Sequence, residues 1–282
     1  MNRLRLWGKA VKMEIREHKS TFAVYVILRA LVIVMMILQI LNKNYENAFL
    51  CILTLFLFIV PSIIQLQFRI ELPKTLEVII LLFIFSAEIL GEISSFYILF
   101  PMWDTVLHTL NGFLAAAIGF SLVDLLNQSE RMEFKLSPLF MAIVAFCFSM
   151  TIGVLWEFYE LFMDQFMGLD MQKDTIIHSF HSVLLDPTKS NIPILVDNIK
   201  DVVVNGKSLG LGGYIDIGLL DTMEDLLVNF IGAFVFSIFG YFYVKSRGKH
   251  HFATRFIPRR KKHSRDYLHI VKEGAVTDKS KL

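Results

Sequence analysis

The chain has 282 residues, 55% hydrophobic and 13% aromatic with 26 Phe, and only 19% charged; the mean hydropathy is +0.55. Water-soluble domains run at about 45–50% apolar and about 25% charged, and a soluble helical protein of this size needs polar helix faces that the first long apolar stretches lack. An ordinary soluble fold is therefore excluded. The 28 Lys/Arg and 26 Asp/Glu nearly balance, so their distribution along the chain carries the information.

Residues 1–20 place Leu4, Trp7, Val11 and Ile15 at three- and four-residue spacing among Arg3, Arg5, Lys9, Lys12 and Arg16, the pattern of a basic amphipathic segment at a membrane surface. Twenty mostly polar residues ahead of a long apolar run do not read as a cleavable signal peptide. Six apolar stretches follow, each long enough for a hydrocarbon core that takes roughly 20 helical residues. They cover Thr21–Leu41, Asn47–Gln67, Leu76–Leu99, Thr105–Leu126, Pro138–Met163 and Thr222–Val244. The fold class predicted is all-α, a polytopic membrane bundle of about six transmembrane helices. Pro61 should kink or end the second span. Cys51 and Cys147 both sit in apolar stretches and read as small core residues, giving neither a disulfide framework nor a cysteine zinc site.

With both termini cytoplasmic, 22 Lys/Arg fall on inner segments and 5 on outer ones, with Arg29 inside a span; the positive-inside rule then fits an even number of spans. Residues 21–245 are expected to form the transmembrane domain of a multi-pass plasma-membrane protein, and 246–282 a basic cytoplasmic tail. The runs RGKHH and PRRKKHSR in that tail suit anionic lipid rather than nucleic acid in a chain already anchored in a bilayer. NQS at Asn127 falls in an inner loop, where glycosylation does not occur. The outer segment at about 164–220 is long for a connection. DTIIHSFHSVLL and PILVDNIKDVVV within it have helix-like spacing, and GLGGY at 210–214 is a breaker before the last span. NGKSLG is not a phosphate loop, because Asp201 stands where the Walker pattern needs its first Gly.

The ionisable residues of the later spans gather toward one layer. Asp104 and His108 open the fourth span, Glu157, Glu160 and Asp164 close the fifth, and Asp221, Glu224 and Asp225 open the sixth, with Asn229 one turn deeper. Glu88 and Glu92 lie in the third. Residues three, four and seven apart share a helix face, so each helix carries one polar stripe, and in lipid such a stripe turns toward protein or a water-filled cavity. No Lys or Arg occurs at 75–130, 136–172 or 208–244. An acid at mid-membrane costs about 2.5–3.5 kcal/mol on insertion scales, which leaves water, shared protons or a bound cation as the means of neutralisation.

Carboxylates with one imidazole suit a divalent ion such as Mg²⁺, Mn²⁺ or Zn²⁺. The reading assigns Glu157, Asp221 and Asp225 as metal ligands, with His108 as general acid or base oriented by Asp104, and Glu160 as a third catalytic candidate. Structural roles compete at each position. Asp104 can be a helix cap, Asp221 with Glu224 has the form of a capping box, His108 can be a hydrogen-bonded core histidine, and Glu88 can pair with Arg29. Asp174 and His178 repeat a D-T-x-x-H form that could act as a lid. Gly91, Gly112, Gly119, Gly153 and Gly232-Ala233, with Ser149, mark close helix contacts.

WDTVLHTLNGFLAA, GVLWEFYELFMDQFMG and GYIDIGLLDTMEDLLVNFIGA, in that order, resemble the YjdF-like family of bacterial integral membrane proteins over about residues 76–245. They are similar at greater distance to VanZ-like proteins, with Asp225 and Asn229 matching the Asp-x-x-x-Asn element, although the arginine-bearing element of those proteins has no counterpart here. The first resemblance implies membrane location and topology and no defined activity. Three function classes fit these residues: a cation-dependent enzyme or binder acting on an envelope or lipid-linked substrate, a proton- or cation-coupled transporter, and a non-catalytic envelope factor.

Overall fold

The computed structural model describes residues 6–10, 12–13, 19–67, 70–127, 135–246, 253–261 and 266–271. Most of the amphipathic N-terminal pattern, RGKHH at 247–251 and half of PRRKKHSR lie outside the described residues, although 6–10 and 12–13 are helical. The chain divides into two compact units, Met1–Met150 with Asn229–Leu282, and Thr151–Val228. Among the described residues five helical stretches are long and apolar enough to cross a membrane: Phe22–Leu41, Tyr45–Gln67, Trp103–Asn127, Pro138–Met167 and Leu219–Lys245. The protein is a polytopic helical membrane protein.

In the first unit, helix α1 (Lys19–Leu41) turns into α2 (Tyr45–Leu57) through Lys43, which has φ 59°, and Asn44, whose side chain accepts a hydrogen bond from the Asn47 amide and caps α2. Tyr25, Leu28 and Val32 follow helical spacing and pack in one cluster with Cys51, Phe58, Leu81 and Ile89. On α1, Ile27, Leu31, Val34 and Leu38 stay exposed, as lipid-facing side chains of a span should. Arg29 donates to the Tyr25 hydroxyl, with its guanidinium 5.0 Å from that ring's centroid. This local partner replaces the expected pairing with Glu88; among the described residues no ion pair joins the two.

Pro61 acts as the sequence predicts. α2 ends at Leu57, Phe58 and Ile59 form a turn, and α3 (Val60–Gln67) begins with Pro61 in its first turn, where a missing N–H costs nothing. The expected span from Leu76 to Leu99 is interrupted. α4 (Lys74–Phe85) passes into a π-helix, Ser86–Ile93, then Ser95 takes a left-handed conformation at φ 59° before the single turn α5 (Phe96–Leu99). No uninterrupted α-helix crosses there. Cys51 is buried as expected, but Cys147 is exposed on an apolar helix face rather than in the core.

α6 (Trp103–Asn127) is the most buried of the candidate spans and the axis of the first unit. Its Leu114, Ala116, Ala117 and Phe120 meet Met141 and Ala145 of α7 (Pro138–Met167) and Ala233 and Phe236 of α8 (Leu219–Lys245). Small residues set this approach: a Cβ on Gly112 would fall on the Asn229 carbonyl, and one on Gly232 on the Thr109 carbonyl. Ser149 Oγ donates to the Gly112 carbonyl at 2.7 Å, and Asn111 Nδ2 to Asn229 Oδ1 at 3.3 Å, so polar groups join these helices inside the apolar layer.

The described part of the basic tail at 253–261 packs onto the first unit. Phe256 and Ile257 are buried in the main core, with Phe256 edge-on to Phe113 at 5.1 Å. Strand β1 (Ile70–Glu71) pairs antiparallel with β8 (Arg259–Arg260), Glu71 opposite Arg259. Two apolar side chains among the charges anchor the segment, and their burial outweighs the polarity of the run as a whole.

The second unit holds α7 from Thr151, α8 up to Val228 and the segment between them. That segment is built of short strands, not the two helices the spacing suggests. β2 (Thr175–Ile177) pairs with β7 (Tyr214–Asp216), β3 (Phe180–Ser182) with β4 (Ile194–Val196), and β5 (Val203–Val204) with β6 (Lys207–Ser208), all antiparallel. β-branched and aromatic residues dominate these triplets, and Pro187 and Pro193 break any helix. Asn205 (φ 51°) and Gly206 (φ 77°) form the two-residue turn of a tight hairpin, which is the structural role of NGKSLG. His178 exchanges its backbone carbonyl with the Ile199 amide at 3.0 Å and sets its ring Nδ1 3.1 Å from the Ile199 carbonyl, so it stitches two loop strands together.

Candidate functional site

Glu157 and Glu160 are three residues apart near the end of α7, and Asp225 sits in the second turn of α8. The helical repeat puts the two glutamates on one face. All three are buried, with 4%, 6% and 4% of their surface exposed. One carboxylate oxygen from each lies within 4.8 Å of the others. Hard divalent ions take oxygen ligands at about 2.0–2.6 Å, so two such bonds end to end span about 4–5 Å, and one ion can bridge this group. Trp156 Nε1 donates to Glu160 Oε1 at 2.8 Å and fixes that carboxylate from the side.

The neighbouring acids hold backbone instead. Asp164 accepts the Met171 amide at 2.6 Å and the Gln172 amide at 2.9 Å through its two oxygens. Asp221, expected among the metal ligands, accepts the Lys173 amide at 2.7 Å through Oδ2. Gln172 Nε2 donates to Thr222 Oγ1 at 2.6 Å. Residues 170–173 are thus clamped between the end of α7 and the start of α8. The expected capping box at Asp221 and Glu224 is not what starts α8: the cap comes from Asp216, whose Oδ2 accepts the Leu220 amide at 2.8 Å. The sequence carried a sign of this in Asp216-x-Gly218, an acceptor and a flexible residue directly before the apolar run; Gly218 has φ 83°.

In the first unit, His108 Nε2 lies 3.5 Å from Asp104 Oδ1, one turn apart on α6. The imidazole is buried. A carboxylate at that distance steers the orientation of the ring. Asn229 is buried and joined to Asn111, so it serves helix contact. Glu88 is half-buried in the π-helix and Glu92 is exposed.

Outside the apolar layer the carboxylates divide by their surroundings. Asp186 accepts the Thr188 hydroxyl at 2.6 Å and the amides of Thr188, Ser190 and Ile192 at 2.8–3.1 Å. These donors, with the Thr188 hydroxyl foremost, pull its pKa down to about 2. The Ser208 hydroxyl, donating at 2.7 Å, likewise holds Asp201 low. Asp174 moves the other way, raised by partial loss of water and then by the charges of Asp170, Asp216 and Asp164. It is exposed, as a residue of a polar loop.

Comparison with known proteins meets this geometry at the level of a family. The profile of the family described as Predicted membrane protein (DUF2238) matches residues 23–246. The chain belongs to that family of membrane proteins of unknown function. No curated protein and no solved structure matches the chain. Nothing in these comparisons supports the VanZ-like resemblance.

Proposed function

We propose that the protein is a multi-pass component of a bacterial cytoplasmic membrane, YjdF-like within its family, whose Glu157, Glu160 and Asp225 bind one divalent cation and use it to bind or act on an envelope substrate, lipid-linked in the fullest form of the reading. The observation that carries this is the 4.8 Å grouping of three buried carboxylates from two helices. Three carboxylate oxygens gathered this closely suit a hard divalent ion, Mg²⁺ or Mn²⁺ better than Zn²⁺. The residues would supply oxygen ligands, and a bound ion would supply Lewis-acid polarisation of a phosphoryl or carbonyl oxygen. Asp104 and His108, 3.5 Å apart, form a carboxylate–imidazole pair of the kind used in general acid or base chemistry. The outward orientation rests on the 22-to-5 distribution of Lys/Arg.

The test is metal analysis of the purified protein, with thermal unfolding in Mg²⁺, Mn²⁺, Zn²⁺ and chelator. Mn²⁺ or Mg²⁺ should raise the unfolding temperature of the native chain and leave Glu157→Gln unmoved. Equal responses of the two proteins to every ion would end the proposal.

One further observation favours a second reading. The stretch carrying Glu88 and Glu92 is a π-helix inside an interrupted span, and broken helices near the midplane are the usual place for the ion site of a coupled transporter. Cation or proton flux in proteoliposomes that Glu88→Gln abolishes would move the assignment there.

A further inference from the structure

A groove of about 240 Å³ runs between α4 and α6, lined by Ile79, Leu82, Phe83, Trp103, Leu107 and Leu110. Its depth along α6, from Trp103 to Leu110, is about 10 Å at the rise of an α-helix. Leu82 and Val106 flank it and are 45% and 48% exposed, so it opens sideways from the unit. At one end Trp103 Nε1 donates to the Ser86 carbonyl at 3.3 Å, a carbonyl of the π-helical turn. Phe96 and Phe100 pack around the same indole, with ring centroids 4.9 and 6.4 Å from it. The groove therefore has apolar walls, an aromatic roof of the kind that sits at the membrane interface, and a lateral mouth.

Water does not fill such a space, because it offers almost no hydrogen-bond partners to a water molecule. α6 crosses the apolar layer along the groove's whole length, and the material available at that depth is hydrocarbon. We infer that the α4–α6 groove is a seat for one acyl chain of a bilayer glycerolipid, held against Leu82, Leu107 and Leu110 with its headgroup end at the Trp103 roof. Glycerolipid is the bulk component of a bilayer, so mass action favours it over scarcer chain-bearing lipids. Trp103 ties the start of α6 to Ser86, the first residue of the π-helical turn, at the roof, and the apolar space lies below that tie. The inference does not depend on the cation.

Trp103 is one of three tryptophans, so Trp7→Phe with Trp156→Phe leaves it as the sole indole reporter. Reconstituted in phosphatidylglycerol vesicles carrying brominated acyl chains, this protein should show strong quenching of Trp103. Val106→Phe with Leu110→Phe fills the groove and should remove at least half of that quenching. Leu122→Phe, on the exposed side of the same helix, should leave it unchanged, and the helical circular dichroism of all three should agree. Equal quenching in the filled and unfilled proteins would mean ordinary contact with surrounding lipid and would overturn the seat. Displacement of the brominated chains by a few mole per cent of a long polyprenyl phosphate would overturn the glycerolipid as its occupant. Failure of the cation proposal leaves these readouts untouched, because they report chain contact at an indole and involve no ion.

Discussion

The unit of Met1–Met150 with Asn229–Leu282 and the unit of Thr151–Val228 solve the same problem of polar groups by opposite means. In the first, order comes from shape: Gly112 and Gly232 let backbones meet where any side chain would collide, and Phe120, Phe236 and Met141 fill the space around them. In the second, order comes from carboxylates: Asp164, Asp186, Asp216 and Asp221 each hold backbone amides, and little apolar core exists. The lesson is that acids in a membrane protein need not be one population. Some hold backbone amides, and Glu157, Glu160 and Asp225 are brought together by the fold, which is the grouping the proposed cation site rests on.

The sharpest way to break the first half of the comparison is Gly112→Ala. Overpacking a fitted core costs about 1–3 kcal/mol, and here the new methyl meets a backbone carbonyl rather than a movable side chain, so about 3 kcal/mol is expected. Thermal unfolding in detergent measures it; a loss under 1 kcal/mol would show that the helices are not fixed by shape.

Next in size is the clustered triad. Asp225→Asn should weaken Mn²⁺ binding at least ten-fold, about 1.4 kcal/mol, while Asp221→Asn, which leaves the triad intact, should change it less than three-fold. Isothermal titration separates the two, and the reverse order would restore Asp221 to the ligand set.

A smaller effect is expected at the hairpin turn. Gly206→Ala forces a side chain into φ 77° and should cost about 1 kcal/mol without touching ion binding. The smallest effect is a pH dependence. The Asp186 carboxyl is held at about 2, below its unfolded value of about 3.9, so its contribution is complete above pH 4 and is lost as pH falls toward 2. The unfolding temperature of the native chain should drop across that window by more than that of Asp186→Asn. Parallel curves would show that these hydrogen bonds contribute nothing to stability.

Much of this was legible in the chain itself. Apolar length alone located five of the six expected spans, because a bilayer core demands about 20 unbroken apolar residues and little else does. Pro61 marked a break, Gly112 and Gly232 marked close contact, and helical spacing alone put Glu157 beside Glu160. Periodicity failed where competing conformations are close in energy. A π-turn at Ser86–Ile93 has the same composition as the α-helix it replaces, and strands of two or three residues in the segment between α7 and α8 are too short to show alternation against helix-like spacing.

Tertiary structure alone decided which acids meet. Asp221 and Asp225 share a helix face one turn apart, yet one accepts the Lys173 amide and the other joins Glu157 and Glu160, because a loop passes the first and the end of α7 the second. It also decided that Phe256 and Ile257 of the tail lie in the core while Arg259 and Arg260 stay exposed on a strand paired with Ile70–Glu71. The sequence by itself determined the solvent, the helices and the stock of ionisable groups, since those follow from local composition. The pairing of distant groups did not follow, because it depends on crossing geometry that no single stretch of the chain encodes.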